Sequence, residues 1–425
     1  MKKINISTRV IATCGDLLML TNDSSVDLKT GFEQPIFVVD KTNGKQITRE
    51  IPMESLMRFE EDLNWTPTNV YYSDVYQNEK TNNTKLENSS LIGFAIGDAF
   101  GVPYEFLTKD EIRGHKLDEM IGKDTNMDFK SRWSDRIMSG AWSDDTSMIY
   151  STMDAIIESK GEFDYSKIMD SYINWWKKGM YCSLDFPFGL GRTVNKALTN
   201  YVSGVEPLKC GGSEIRDNGN GSLMRILPFS LYCIQCDLST DKTAEIISKG
   251  SSLTHAHDIS KMGCFIFTEF LRGLYENRNK EMSFADILNI DYYKYFSEEA
   301  VDAYSNLLRF DFKDTKDKDI NGSGYVVDSL ECAIYSVLNT DNFEDAIKMA
   351  VNTGYDTDTI AGITGALSGA LYGVESFPEK WVSKLRKKDE LDLISIKYAI
   401  LLERIKKNNV NSLFEPETFE GFIKK

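Results

Sequence analysis

The stretch Leu91-Ile-Gly-Phe-Ala-Ile-Gly-Asp-Ala-Phe-Gly-Val-Pro-Tyr-Glu105 marks where the chain changes character. Gly93, Gly97 and Gly101 recur every four residues, so in a helix they share one face, strip it of side chains and let a neighbouring backbone come close. No strand precedes them, which argues against a dinucleotide-binding glycine loop. Pro103 then ends the helix and leaves Glu105 just beyond it; taken alone, Glu105 reads as an exposed loop acid. A second glycine-punctuated segment, Thr359 to Val374, carries no charge and includes Gly362, Gly365, Gly369 and Gly373. It is shorter than the roughly 18 to 20 residues of a membrane span, so it predicts a close-packed buried helix.

Around these segments the apolar period is helical. Ile149, Met153, Ile156 and Ile157 share one face, Ile173, Trp176 and Met180 another, and Ala346, Met349 and Ala350 a third. Strict alternation is nearly absent from residue 91 onward, so residues 86–425 are expected to form one large all-α domain. Arg309 to Ile320 carries charges of both signs and reads as a solvated loop. The first 85 residues differ: they hold three Gly and no His, against 26 Gly and three His in the rest. Pro35 to Asp40 and Gln46 to Ile51 flank a turn-like Lys41-Thr42-Asn43-Gly44 and predict a hairpin, Pro52 to Leu63 predicts a short helix, and Gln77 to Thr84 a linker. Residues 1–85 are thus expected to be a small α+β domain.

The chain of 425 residues has 49 Lys+Arg against 65 Asp+Glu, a formal charge of −16. That excess of acid excludes nucleic acid and anionic membrane as partners, since both require a basic footprint. The N-terminus lacks the apolar centre of a signal peptide, and a cytoplasmic location is expected. Seven scattered cysteines suit a reducing compartment, and Cys233-x-x-Cys236, without a second pair, reads as buried structural thiols.

Three acidic clusters sit where helices begin or end. The first ends at Glu105. In the second, Trp142-Ser-Asp-Asp-Thr146, Ser143 or Asp144 could cap a helix, but two carboxylates flanked by two hydroxyls offer more oxygen than one cap requires, and hard cations such as Mg²⁺ take such ligands. In the third, Gly354-Tyr-Asp-Thr-Asp-Thr359, the oxygens of Asp356, Asp358 and Thr359 can converge at a helix start. An EF-hand fails here because the sixth position from Asp356 is Ala361 and the twelfth Leu367; a phosphatase Asp-x-Asp-x-Thr fails for lack of a buried strand before it. Capping and metal coordination remain, and the combined oxygens suit two cations about 3.5–4 Å apart. The turns of Asn218-Gly-Asn-Gly-Ser222 present backbone N–H groups that suit a diphosphate. His255 by itself is a core histidine and His257 a surface one, and their spacing argues against zinc.

Taken in order, Gly97–Glu105, Trp142–Met148, Asn218–Arg225, Leu253–His257, Gly322–Asp328 and Gly354–Gly362 resemble the ADP-ribosylglycohydrolase family, which includes the dinitrogenase reductase-activating glycohydrolases, over roughly residues 88 to 380. Ser143 stands where the family more often has Thr, which keeps the hydroxyl. The resemblance implies an all-α fold and two Mg²⁺, or Mn²⁺, held by Ser143, Asp144, Asp145, Asp356, Asp358 and Thr359. It implies that Glu105, with Asp144, serves in proton transfer, that Asn220, Gly221, Ser222 and His255 line the diphosphate and ribose, and that Tyr325 packs near the nucleoside. The implied activity is removal of ADP-ribose from a modified protein side chain, arginine first. The first 85 residues resemble the extension of immunity proteins that counter ADP-ribosyltransferase toxins of type VI secretion, which implies a toxin partner. Direct occlusion of that toxin is the alternative role.

Overall fold

The computed structural model describes the backbone of residues 9–14, 17–21, 37–40, 45–46, 66–71, 84–127 and 129–413, and the side chains of 89–127 and 129–406. Five strands, β1 (Arg9–Cys14), β2 (Leu17–Thr21), β3 (Phe37–Asp40), β4 (Lys45–Gln46) and β5 (Thr66–Tyr71), form one antiparallel sheet in the order β4-β3-β2-β1-β5. A bulge between Val10 and Ala12 shifts the register of β1 against both neighbours. β3 and β4 pair where the hairpin is expected; the helix expected over Pro52 to Leu63 lies outside the described residues.

The rest is helical. Among the described residues the helices of nine residues or more are α1 (Thr84–Gly101), α2 (Asp144–Glu158), α3 (Tyr165–Lys178), α4 (Arg192–Val202), α5 (Leu227–Gln235), α6 (Thr240–Ser252), α7 (Asp258–Asn277), α8 (Lys280–Leu288), α9 (Val326–Leu338), α10 (Phe343–Val351), α11 (Thr357–Tyr372) and α12 (Lys388–Leu413). None is long and apolar enough to cross a membrane. Most are capped locally, as at α3, where Asp164 accepts from the N–H groups of Ser166 and Lys167 and Gly179 closes the C-terminus at φ 67°.

Helices α1 and α11 run antiparallel with their backbones in contact; each glycine pattern predicts a close neighbour, and each helix is that neighbour for the other. A Cβ on Gly93 would strike the carbonyl of Gly365, one on Gly97 that of Ala361, and one on Gly101 that of Thr357. Side-chain hydroxyls bridge the pair: Ser90 Oγ donates to Ala366 O at 3.0 Å and Thr357 Oγ1 to Gly101 O at 2.8 Å. Helix α11 is buried on all sides, against α1, α7, α9 and α10. This packing sets the C-terminal end of α1 beside the N-terminal end of α11, although 255 residues separate Gly101 from Asp356.

Two local expectations shift. On α3 the deep face is Ile168, Met169, Tyr172 and Trp175, while Met180 is exposed and Ile173 and Trp176 are half-buried. The apolar residues of α3 cover a broad arc, and the core takes its other edge. Within Arg309–Ile320 the charged residues are solvated, but Phe312 is fully buried, stacked on Phe284. All six described cysteines are buried free thiols, and burial pushes Cys233 up to about 12.

Candidate active site

Six acids meet where the ends of α1, α2 and α11 converge: Asp98, Glu105, Asp144, Asp145, Asp356 and Asp358. All but Asp356 are buried. Asp98, on α1, reaches across to the start of α2, where Oδ1 accepts from Ser143 N (2.9 Å) and Oδ2 from Thr146 N (3.1 Å) and Thr146 Oγ1 (2.6 Å). It thereby does most of the capping of α2. Ser143 contributes one long bond from Asp145 N, 3.3 Å, so the Asp144 and Asp145 carboxylates are left for other work. At α11, Asp356 occupies the cap position but makes no side-chain cap. Its Oδ2 accepts instead from Asn220 Nδ2 at 3.0 Å, and the same amide donates to Ser329 Oγ at 2.9 Å.

Electrostatics show how closely these groups face one another. Burial, then the charges of Glu105 and Asp98, holds Asp144 well above the usual carboxylate range; burial, then Asp144, does so for Asp145; burial, then Glu105 and Asp356, for Asp358. Glu105 is pushed up to about 8 by burial and by Asp356, against the hydrogen bond it accepts from Trp133 Nε1. Asp98 rises to about 6, again through burial. The Thr359 hydroxyl lies close enough to Asp145 to favour its charged form, which sets the start of α11 beside that of α2.

The donor set fits hard cations. Asp145 Oδ2 and Asp358 Oδ1 are buried with no hydrogen-bond partner, and such orphaned anionic oxygens are costly unless positive charge offsets them. Among the described residues no three Asp, Glu, His or Cys side chains stand in a ready-made coordination array, so the acids share a cleft without forming a closed cage. Close over it lies Gly189, at φ 92°, where a Cβ would strike Asp144 Oδ1.

The polar loops form the adjoining wall. Gly219 pairs with Tyr325 as an isolated antiparallel bridge, and the Asn220 N–H is used on Gly324 O at 3.0 Å. Gly221 lies against the His255 ring, which a Cβ would approach to 2.8 Å. The Ser222 hydroxyl is engaged in the interior by Ser251 (3.0 Å) and Cys264 (3.5 Å), so only its backbone is left for a ligand. His255 is buried and held down to about 3 by burial and by the nearby Arg225. Fully buried Arg225 donates through Nη2 to Thr254 Oγ1 at 2.6 Å, and Thr254 Oγ1 is 2.9 Å from His255 Nδ1. Because guanidinium can only donate, the Thr254 hydroxyl proton is free to turn to Nδ1, an arrangement that would place the imidazole proton on Nε2. His257, by contrast, caps α7.

At the mouth, Phe106 (φ 68°) and Tyr355 (φ 60°) are exposed aromatics in the left-handed region, locked by Phe106 N to Tyr355 O (2.6 Å) and Tyr355 N to Leu107 O (2.7 Å). Strain of this kind gathers at functional sites. The Arg132 guanidinium stacks 4.9 Å from the Phe106 ring centre and 4.8 Å from that of Trp133. Sequence reasoning missed the roles of Asp98, Trp133, Arg225 and Gly189. Asp98 had a signal, a lone acid inside a glycine-faced apolar helix; Trp133 and Gly189 lie in segments without period or motif.

With this fold and this cleft, the chain belongs to the ADP-ribosylglycohydrolase family, whose model matches residues 88–409, and it is a hydrolase of ADP-ribosyl linkages. Among its relatives, the ADP-ribosylarginine hydrolase Tri1 of Serratia proteamaculans (strain 568) is 31% identical over 306 residues, 71% of this chain and 75% of that protein. The ADP-ribosyl-[dinitrogen reductase] glycohydrolase of Rhodospirillum rubrum is 28% identical over 306 residues, 72% of this chain and 91% of its own length. A solved ADP-ribosylglycohydrolase-related protein complex superimposes with a TM-score of 0.59 at 23% identity, over 76% of this chain and 99% of that one, which bears on the fold alone.

Proposed function

We propose that this enzyme removes ADP-ribose from arginine side chains of modified proteins, using two divalent cations held by Ser143, Asp144, Asp145, Asp356, Asp358 and Thr359. The observation that carries the proposal is the gathering of six acids with orphaned oxygens at one set of helix ends. Held by these residues, Mg²⁺, or Mn²⁺ in its place, would supply Lewis-acid charge next to the ribose. Around it the chain's own residues do the rest. The backbone of Gly221 and Ser222 and the Nε2–H of His255 hold the diphosphate and ribose, Asn220 fixes Asp356, and Tyr325 covers the nucleoside end. Water adds to the anomeric carbon as its bond to the guanidine nitrogen breaks, through an oxocarbenium-like transition state. Glu105, with a carboxyl raised into the neutral range and steadied by Trp133, exchanges the proton with water or leaving group, and Asp144 is the other candidate for that step. Arginine is favoured by the likeness to the ADP-ribosylarginine hydrolase Tri1 and by the aromatic mouth, which already stacks one guanidinium, that of Arg132.

The test is release of ADP-ribose from arginine-modified and serine-modified protein in Mg²⁺. Asp144→Ala and Asp358→Ala should each lower turnover by at least about 10³-fold with the helical circular dichroism retained. Full turnover in both variants would reject the proposed site, and release from serine alone would reject the acceptor.

A second role is compatible with the first. Residues 1–85, ahead of the family match and carrying the five-stranded sheet, are proposed as a separate domain that occludes a cognate ADP-ribosyltransferase toxin in the cytoplasm, with residues 86–425 as the hydrolase. Removing residues 1–85 should abolish toxin binding and leave hydrolysis; unchanged affinity would discard the occluding role.

A further inference from the structure

We propose that the cavity beside the Ser183–Phe186 turn is a second anion site, built for a small ligand that carries two or three phosphates. Five cations line it, Lys123, Arg136, Lys384, Arg386 and Lys387, against one acid, Asp185. In a chain of net charge −16 the overall field repels anions, so five cations around one hollow require a local reason. Their charges are poorly matched from within. Among the described residues only Lys384 makes an ion pair, with Glu119 at 3.5 Å. Asp124, the other acid nearby, accepts from Ser139 N (2.7 Å) and Ser139 Oγ (2.9 Å) and is held below the usual carboxylate range by these bonds and by Arg386, so it offsets part of that one cation's charge.

A second, independent observation comes from Arg386. Its Nε is buried and has no hydrogen-bond acceptor, a cost that an entering anionic oxygen would remove. The hollow holds about 500 Å³, the size of a small-molecule site. A hollow of this volume takes a compact phosphate group more readily than the broad face of an acidic protein, which favours a small ligand. Arginine and lysine together suit phosphate, the first as a planar fork and the second as point charges. Phe186, 45% exposed on the same wall, offers a ring to whatever the phosphates are attached to.

This hollow shares no residue with the Asn220–Ser222 and His255 wall, yet its turn leads to the acid cleft. Ser183 Oγ donates to Trp142 O at 2.6 Å, and six residues further on Gly189 covers Asp144. An occupant of the hollow therefore sits one turn of chain from the catalytic acids.

The experiment is isothermal titration of the full chain with sodium tripolyphosphate, in phosphate-free buffer with EDTA. One site per chain is expected, weakening with added NaCl. The Lys384→Ala/Arg386→Ala double variant and the exposed single variant Lys387→Glu should each weaken it tenfold or more, while Asn220→Ala leaves it within twofold. Unchanged thermal midpoints and hydrolysis would show both pocket variants folded, and Lys387→Glu carries the test should the double variant unfold. The proposal is overturned by no binding by the wild-type chain, by binding indifferent to the pocket variants, or by binding lost in Asn220→Ala, which would move the probe to the diphosphate wall. Binding of poly-glutamate in place of tripolyphosphate would overturn it too, in favour of an acidic protein partner.

Discussion

At the scale of single residues, His255 shows how burial decides chemistry. Its ring is kept neutral, with its usual value near 6.5 lowered to about 3 by burial and by Arg225, so it serves as a neutral hydrogen-bonding ring and not as a proton shuttle. The stability consequence has a definite sign. The unfolded chain takes up a proton below pH 6.5 that the folded chain refuses, so the contribution is complete above pH 6.5 and is lost as pH falls toward 3. Between pH 7 and pH 5 wild-type protein should lose about 2 kcal/mol more unfolding free energy than His255→Gln, measured by urea titration at each pH. Equal losses would mean that the ring is solvated. The tautomer itself is open to test: ¹⁵N-imidazole spectra should show protonated Nε2, and Thr254→Val should redistribute the proton by removing the hydroxyl that fixes it.

Among elements, the α1–α11 pair carries the fold. Gly97→Ala should destabilise by at least about 3 kcal/mol, because the collision is with backbone that cannot rotate away, whereas Gly114→Ala, with open space around the new methyl, should stay within about 0.5 kcal/mol. Thermal midpoints of the two variants decide this; similar midpoints would mean that the helices can slide apart. The close-packed face of each helix was legible in the sequence because glycines spaced along one face admit a neighbouring backbone, but not which backbone, and the acids at the ends were legible because they exceed what capping needs. The capping of α2 by Asp98 was not, since only tertiary packing brings a mid-helix acid to another helix's start. Trp133 and Gly189 were hidden for the same reason: each acts through a contact between segments with no shared period. The stripe chosen for α3 erred because a broad apolar arc does not say which edge the core will take.

For the whole molecule, self-repulsion within the cleft couples stability to counter-charge. Mg²⁺ should raise the thermal midpoint of the wild-type chain, and Asp145→Asn, which removes one of the like charges, should raise the midpoint in EDTA and respond less to Mg²⁺. Equal Mg²⁺ shifts in the two proteins, read by differential scanning fluorimetry, would count against cation binding by Asp145. The same contact between α1 and α11 also bears on biosynthesis. Glu105 is synthesised some 250 residues before its partners around Asp358. A nascent chain that ends before Asp356 lacks both the last proposed ligands and the helix against which α1 packs, so α1 must wait for a closure over some 250 residues before it is buried.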